Sequence, residues 1–439
     1  MTETVRKKVV ILGAGFAGLN AAQALAKLPV DVTLVDRRNH HTFQPLLYQV
    51  ALAVLSPADI AQSIRSMFRK TPNVEVLLDE AVSIDPVAQK LLMKSGAILS
   101  CDYLIMATGA THSYFGHPEW AANAPGLKTI EDATEIRRRV LLAFELAERE
   151  MVERGSHPAL NFVIVGGGPT GVELAGAIAD IAPKNEFRHI DPSKARVILI
   201  EGEKRVLSSY PPELSEKARQ QLVEIGVEVQ TGKHVTDIQP GYVVVDGDKL
   251  DAVVTLWAAG VQASPLGKML GAETDKRGAV IVDEFLNPAG MPHVFVCGDL
   301  AHFMQDGKQV PGVAQPAMQM GKHAAAEIAA DLQGKQRRPF RYFDKGDMAT
   351  IGRKAAVARI VWPFKANWSG VPAWATWLAV HIFFLIGFRN RVAVFSQWAW
   401  TYFTFNRGAR LITGSTVLPG WGELLAEESP KPEALAAGK

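Results

Sequence analysis

Lys8-Val9-Val10-Ile11-Leu12-Gly13-Ala14-Gly15-Phe16-Ala17-Gly18 carries an apolar, β-branched run straight into a Gly-x-Gly-x-x-Gly turn. An Ala-rich helical stretch follows. The same order returns as Asn161-Phe162-Val163-Ile164-Val165-Gly166-Gly167-Gly168-Pro169-Thr170-Gly171. One such turn is a weak signal, because glycine-rich turns are common; two, each after a run that reads as a buried parallel strand, are a strong one. A strand, a tight glycine turn and a helix N-terminus form a pyrophosphate site, where unpaired N–H groups and the positive dipole end face an anion. The pair predicts two dinucleotides in one chain, and the simplest reason to hold two is to pass electrons between them.

Working outward, Val32-Thr33-Leu34-Val35-Asp36 sets Asp36 at a strand tip, where a carboxylate accepts from a ribose diol; ordinary capping is the plainer reading. Glu201, ending Arg196-Val197-Ile198-Leu199-Ile200, is its counterpart and favours NAD over NADP, because it repels a 2′-phosphate. The polar segment from Ile181 to Lys194 reads as an insertion before that strand. Two apolar strands end in similar punctuation, Ala107-Thr108-Gly109 and Ala258-Ala259-Gly260, and both predict sharp crossings between domains. The expected fold is α/β, with two Rossmann-like dinucleotide-binding domains, one inserted in the other. The first takes residues 1–110 and 261–345 and the second residues 111–260; residues 346–439 are expected to form a C-terminal membrane-attachment region with amphipathic helices.

At 439 residues the chain has ample core, and its net charge of +2 argues against a nucleic-acid binder. The two cysteines, Cys101 and Cys297, lie far apart with no Cys-x-x-Cys, which excludes a thioredoxin-type pair or a zinc ribbon; no metal is expected. Arg6-Lys7-Lys8 followed by an apolar run imitates a signal peptide, but the glycines in register favour a first strand and helix. The catalytic part is therefore expected in the cytoplasm.

The paired loops, Ala107-Thr108-Gly109 and Val296-Cys297-Gly298-Asp299 resemble the two-dinucleotide-binding flavoproteins related to glutathione reductase. His41-Thr42-Phe43-Gln44-Pro45-Leu46-Leu47-Tyr48-Gln49-Val50-Ala51 and Ala314-Gln315-Pro316-Ala317-Met318-Gln319 look like the type II NADH:quinone oxidoreductases. Phe343-Asp344-Lys345-Gly346, Ala349-Thr350-Ile351-Gly352-Arg353 and the stretch His381 to Arg391 resemble that family too. The resemblance implies non-covalent FAD against Gly13, Gly15, Phe16, Ala17, Gly18, Asp36, Arg37, Gln44, Tyr48, Thr108, Gly109, Asp299 and Gln315. It implies NADH as substrate against Gly166, Gly168, Thr170, Gly171, Glu201 and Gly260. The implied reaction is NADH oxidation with two-electron reduction of a membrane quinone, ubiquinone or menaquinone, without proton pumping.

Within that resemblance Glu173, placed on the first turn of the second helix, assists hydride geometry or proton delivery; a carboxylate merely suited to a helix N-terminus is the alternative. Gln315 and Gln319, four apart on one helical face, present uncharged amides to quinone carbonyls, although two exposed glutamines would read the same. Pro311-Gly312-Val313 leads into that helix, whose positive end suits a reduced flavin. A sulfide:quinone oxidoreductase would need paired redox cysteines, and an NADH-sensing flavoprotein remains a reading from another class.

From Val361 to Gly420 the chain carries five Lys or Arg, no Asp or Glu, and six of its nine tryptophans. Ala373–Phe388 is short for a span, which needs about 20 apolar residues. Its aromatic flanks and unopposed arginines (Arg389, Arg391, Arg407, Arg410) predict two helices lying in one leaflet on an anionic lipid surface. A buried core helix, a true span and an oligomer contact are the alternatives, and homodimerisation stays open. His381 is a weak candidate for proton supply to the quinone. The expected location is peripheral, on the cytoplasmic face of a bacterial inner membrane.

Overall fold

The computed structural model describes residues 6–181, 187–404 and 409–423. Part of the expected insertion (182–186), Phe405 and Arg407 of the aromatic stretch, and the segment 424–439 lie outside the described residues. In chain order the framework opens with β1 (Lys7–Leu12), α1 (Phe16–Leu25), β2 (Val30–Asp36), α2 (Leu47–Ala51), β3 (Val74–Leu78) and β4 (Tyr103–Met106). It continues with α3 (Ile130–Arg154), β5 (Asn161–Val165), α4 (Pro169–Ala179), β6 (Arg196–Glu201), β7 (Val227–Thr231) and β8 (Val254–Trp257). It ends with β9 (Val294–Val296), α5 (Ala314–Leu332), β10 (Gly346–Ile351), β11 (Ala355–Ile360), β12 (Ala366–Ser369), α6 (Val371–Phe384) and α7 (Phe388–Thr404).

Two all-parallel sheets dominate. The first has the order β9-β4-β1-β2-β3 and the second β7-β6-β5-β8. All five residues of β5 and the last four of β1 are buried, as expected of strands covered on both faces. The chain separates into two compact units rather than three. One comprises residues 1–43, 61–113 and 261–345; the other comprises 44–60, 114–260 and 346–439. Two expectations are corrected here. Segment 44–60, assigned to the first domain, belongs to the second unit, because α2 packs on α3 and α4. The described part of segment 346–439 is no separate region: β10 packs against α4, and α6 packs against β11.

In the first unit α5 lies against α1 at a distance set by Gly321, where a Cβ would stand 2.0 Å from the Ala17 carbonyl oxygen. In the second unit α3 starts at a Thr129–Asp132 capping box and stops at Gly155, whose φ of 70° is left-handed. The expected apolar stretch Ala373–Phe388 is interrupted at Leu385–Gly387, so Phe388 and Arg389 belong to α7. Helix α6 is apolar on every side, so it is not the amphipathic helix expected. Among the described residues no helix is long and apolar enough to cross a membrane. The α1–α5 contact makes a direct prediction. Gly321→Ala should lower stability by about 1–3 kcal/mol through overpacking against a backbone carbonyl, read as a reduced midpoint in thermal unfolding.

Candidate active site

Each unit builds the same glycine turn by the same contacts. Gly13 N–H donates to Val35 O (2.8 Å) and Gly166 N–H to Ile200 O (2.7 Å), hanging each turn on the neighbouring strand. A Cβ at Gly18 would stand 1.8 Å from Gly13 O, and one at Gly171 would stand 1.8 Å from Gly166 O. The first glycines have φ of 94° and 107° and press on Ala107 and Ala258 at the ends of β4 and β8. The turns that follow those strands hold Thr108–Gly109 and Gly260. Gly15 and Gly168 are different: nothing lies within 4 Å of a Cβ built on either, and both have negative φ. The chain itself does not require glycine there, so their openness serves a group brought from outside, as a pyrophosphate approach demands. Both are also helix N-caps without a side-chain cap, which leaves N–H groups of α1 and α4 available.

The two acidic residues are equivalent as well. Asp36 accepts from Ala14 N–H (2.6 Å) and Arg38 N–H (2.7 Å), while Glu201 accepts from Gly167 N–H (2.5 Å) and Glu203 N–H (2.7 Å). Each carboxylate ties down its glycine turn and keeps lone pairs for ribose hydroxyls. Arg37 is exposed, its guanidinium 3.9 Å from the Glu80 carboxylate. His41, not singled out from sequence, donates Nδ1–H to Ala14 O (2.8 Å) and stacks edge-on to Phe16; burial lowers its pKa and keeps it neutral. The buried Thr108 hydroxyl has no partner among the described residues. A cavity in the same unit is lined by Gly298, Asp299, Val310, Gly312, Pro316 and Ala317, at the N-terminus of α5. An orphaned hydroxyl, open second glycine and acidic ribose anchor together fit an adenine dinucleotide cofactor.

In the second unit Glu173 lies on the second turn of α4, five residues into the helix, and not on the first turn as expected. Densely surrounded though partly accessible, it is pushed up to about 8 by burial, against the opposing effect of the Thr350 N–H. Tyr48 lies beside it, buried, with Oη 3.0 Å from Thr350 Oγ1 and 3.0 Å from Gln49 Nε2. Gln44 begins the preceding turn and donates to Lys128 O (3.2 Å).

Similarity to known proteins follows this geometry. The pyridine nucleotide-disulphide oxidoreductase family profile matches residues 7–321. The type II NADH:quinone oxidoreductase NdhA of Mycobacterium tuberculosis is 42% identical over 454 residues, covering 99% of this chain and 95% of the relative. The type II NADH:quinone oxidoreductase Ndh of the same organism is 43% identical over 445 residues, covering 96% and 95%. The chain belongs to the type II NADH:quinone oxidoreductases. A solved structure of NDH2 from Plasmodium falciparum in complex with NADH shares the fold, with a TM-score of 0.82 at 21% identity, covering 93% of this chain and 100% of that one.

Other residues expected at a type II oxidoreductase site fall unevenly. Gln315 is in the first turn of α5. Gln319 is committed elsewhere: its Nε2 donates to Phe343 O and its Oε1 accepts from Phe343 N–H, both at 2.9 Å, so its amide clamps a main chain. His381 Nδ1 lies 2.7 Å from Trp377 O, and because a carbonyl only accepts, that nitrogen carries the proton. Burial lowers His381 to about 4, which favours the neutral imidazole at neutral pH. Cys101 and Cys297 are buried and free, both with thiol pKa raised by burial, Cys101 to about 11. Neither supplies a thiolate for a disulfide relay.

Glu173 makes stability fall with pH. The unfolded carboxyl ionises near 4.5 whereas the folded one holds its proton to about 8. The folded state therefore binds the extra proton across that window, and stability drops as pH rises through it, then levels off above it. The loss is on the order of 3 kcal/mol once partial solvent access is allowed for. Glu173→Gln should remove this component, so denaturant titrations should show the variant gaining on the parent between pH 5 and 8; a constant difference refutes the burial argument.

Proposed function

We propose that this protein oxidises NADH and reduces a membrane quinone to quinol by two electrons, using FAD held by the first unit. The duplicated glycine–carboxylate cradle carries the reading, one copy in each unit. FAD, when bound, supplies the hydride acceptor and the two-electron donor. The chain's part is to hold and orient. Gly13, Gly15 and Gly18 bring backbone N–H groups to the cofactor's pyrophosphate, Asp36 takes its ribose, and Asp299 with Thr108 and Gly109 holds the ribityl side. The N-terminus of α5, where Val313 supplies no side-chain cap, presents positive potential at the cavity that Asp299 lines. In the second unit Gly166, Gly168, Thr170 and Gly171 take the NADH pyrophosphate and Glu201 its ribose, excluding a 2′-phosphate by charge. Glu173, protonated at neutral pH, keeps the nicotinamide end free of an additional negative charge and holds a proton there. Gln315 offers its amide to the acceptor, with Gln319 fastening residue 343 behind it.

The acceptor is a lipid-soluble quinone because the C-terminal helices suit a lipid surface. Phe388, Val392 and Phe395 are exposed along one side of α7, and Phe383 and Phe384 are exposed at the end of α6. Arg389 and Arg391 flank them with charges matched to anionic headgroups. With no crossing helix among the described residues, attachment is peripheral.

Purified protein should be yellow, bleach anaerobically with NADH, and regain colour with a short-chain quinone; a reduced state that persists with every quinone tested refutes the assignment. Gly171→Ala should stay yellow but lose NADH bleaching, whereas Gly18→Ala should purify colourless. In flotation assays with anionic liposomes, the paired change Phe388→Glu and Phe395→Glu should abolish binding while water-soluble quinone is still reduced. Unchanged flotation would remove α7 from the attachment surface.

A further inference from the structure

Helix α2 is five residues long, all buried, and a helix of that length is not stable by its own hydrogen bonds. Two side chains from distant segments hold it. Arg137 of α3 donates from Nε to Val50 O (2.8 Å) and from Nη2 to Val50 O (2.5 Å) and Leu55 O (2.9 Å). Its described partners are thus carbonyls at the negative end of α2, which fixes that end in place. Trp398 of α7 donates Nε1–H to Gln49 Oε1 (2.6 Å), inside an aromatic wall where Trp377 lies 5.7 Å from Trp398 and 6.3 Å from Tyr48.

The second contact sets a direction. An indole N–H can only donate, so the Gln49 oxygen must face Trp398 and its NH2 must face Tyr48. Tyr48 Oη therefore accepts from Gln49, and its own hydrogen is left for Thr350 Oγ1. The Thr350 N–H in turn serves the Glu173 carboxyl. Trp398, which has no alternative, thus assigns each donor as far as the Thr350 hydroxyl, and the Thr350 main chain carries the contact on to α4.

We infer that Trp398 is a positioning residue for the redox reaction: through Gln49 and Tyr48 it fixes the orientation of Thr350 beside Glu173. This rests on Glu173 acting at the nicotinamide end. Trp398→Phe keeps the ring and removes only the N–H, freeing the Gln49 amide to flip. Gln49→Glu replaces the donating NH2 by an acceptor and draws the Tyr48 hydrogen away from Thr350.

A double-mutant cycle on the full-length holoenzyme tests this. Trp398→Phe and Gln49→Glu should each lower kcat about tenfold, the scale of one misdirected hydrogen bond, with KM for NADH and quinone held within about twofold. In a Glu173→Gln background, Trp398→Phe should cost no further activity. If Glu173→Gln matches the parent, the reading of Glu173 fails and this inference falls with it. If Glu173→Gln is impaired but Trp398→Phe is not, only the positioning role is overturned. Multiplying losses, or a fall in kcat matched by a rise in KM and a lower unfolding midpoint, would likewise overturn it in favour of bulk packing.

Discussion

Two backbone contacts at van der Waals limit govern this molecule: Gly18 against the Gly13 carbonyl, and Gly171 against the Gly166 carbonyl. Each brings a helix so close to its glycine turn that no side chain can intervene. The helix N-terminus is then aimed across the turn, and the second glycine is left facing open space. The carboxylates of Asp36 and Glu201 complete the arrangement by accepting from the turn itself. A strand tip, a turn and a helix start thus become one rigid cradle. Because the cradle is made of backbone, its geometry depends on side-chain absence at a few positions, and that is why a single methyl is enough to break it.

The C-terminal hundred residues show how composition merges two different populations. Tryptophans crowd this stretch, and their common reading as interfacial anchors is only partly right. Trp377 is 1% exposed and packs on Tyr48 and His381, and Trp398 is spent on Gln49. Trp362, Phe383, Phe388, Phe395 and Trp400 are among those left on the outside. The first group ties α6 and α7 into the second unit; the second stays exposed. Both demand aromatic residues without acidic neighbours, so sequence alone could not sort them.

The parallel strands, the two cradles and their carboxylates were legible because each is a local pattern, complete within about 35 residues. The surroundings of Glu173 were not. Its neighbours Tyr48 and Thr350 come from segments more than a hundred residues away on either side, and nothing in Pro169-Thr170-Gly171-Val172-Glu173 announces them. A first-turn carboxylate suited to a helix N-terminus was therefore a reasonable alternative from the local sequence, and only tertiary packing surrounds Glu173 closely enough to raise its pKa. The partner of Gln319 was illegible for the same reason, since it is the main chain at 343. Arg137 lies in a run of three arginines that are all buried, and its partners at 50 and 55 are equally remote in sequence.

The duplication makes the asymmetry informative. Counting from the first glycine of each turn, the position of Glu173 in the second copy corresponds to Asn20 in the first. Asn20 donates to Phe16 O (2.8 Å) of its own helix and needs nothing else. Glu173 instead meets Thr350 on a strand from another part of the chain, and burial holds it protonated near neutrality. A polar group satisfied inside its helix costs the fold little, whereas a buried carboxyl depresses stability over much of the pH range. Both copies keep the cradle, and only the second tolerates a destabilising acid at this place. The second copy departs from the first at Glu173, and the residues that support the departure (Tyr48, Thr350, Gln49, Trp398) have no counterpart in the duplicated pattern itself.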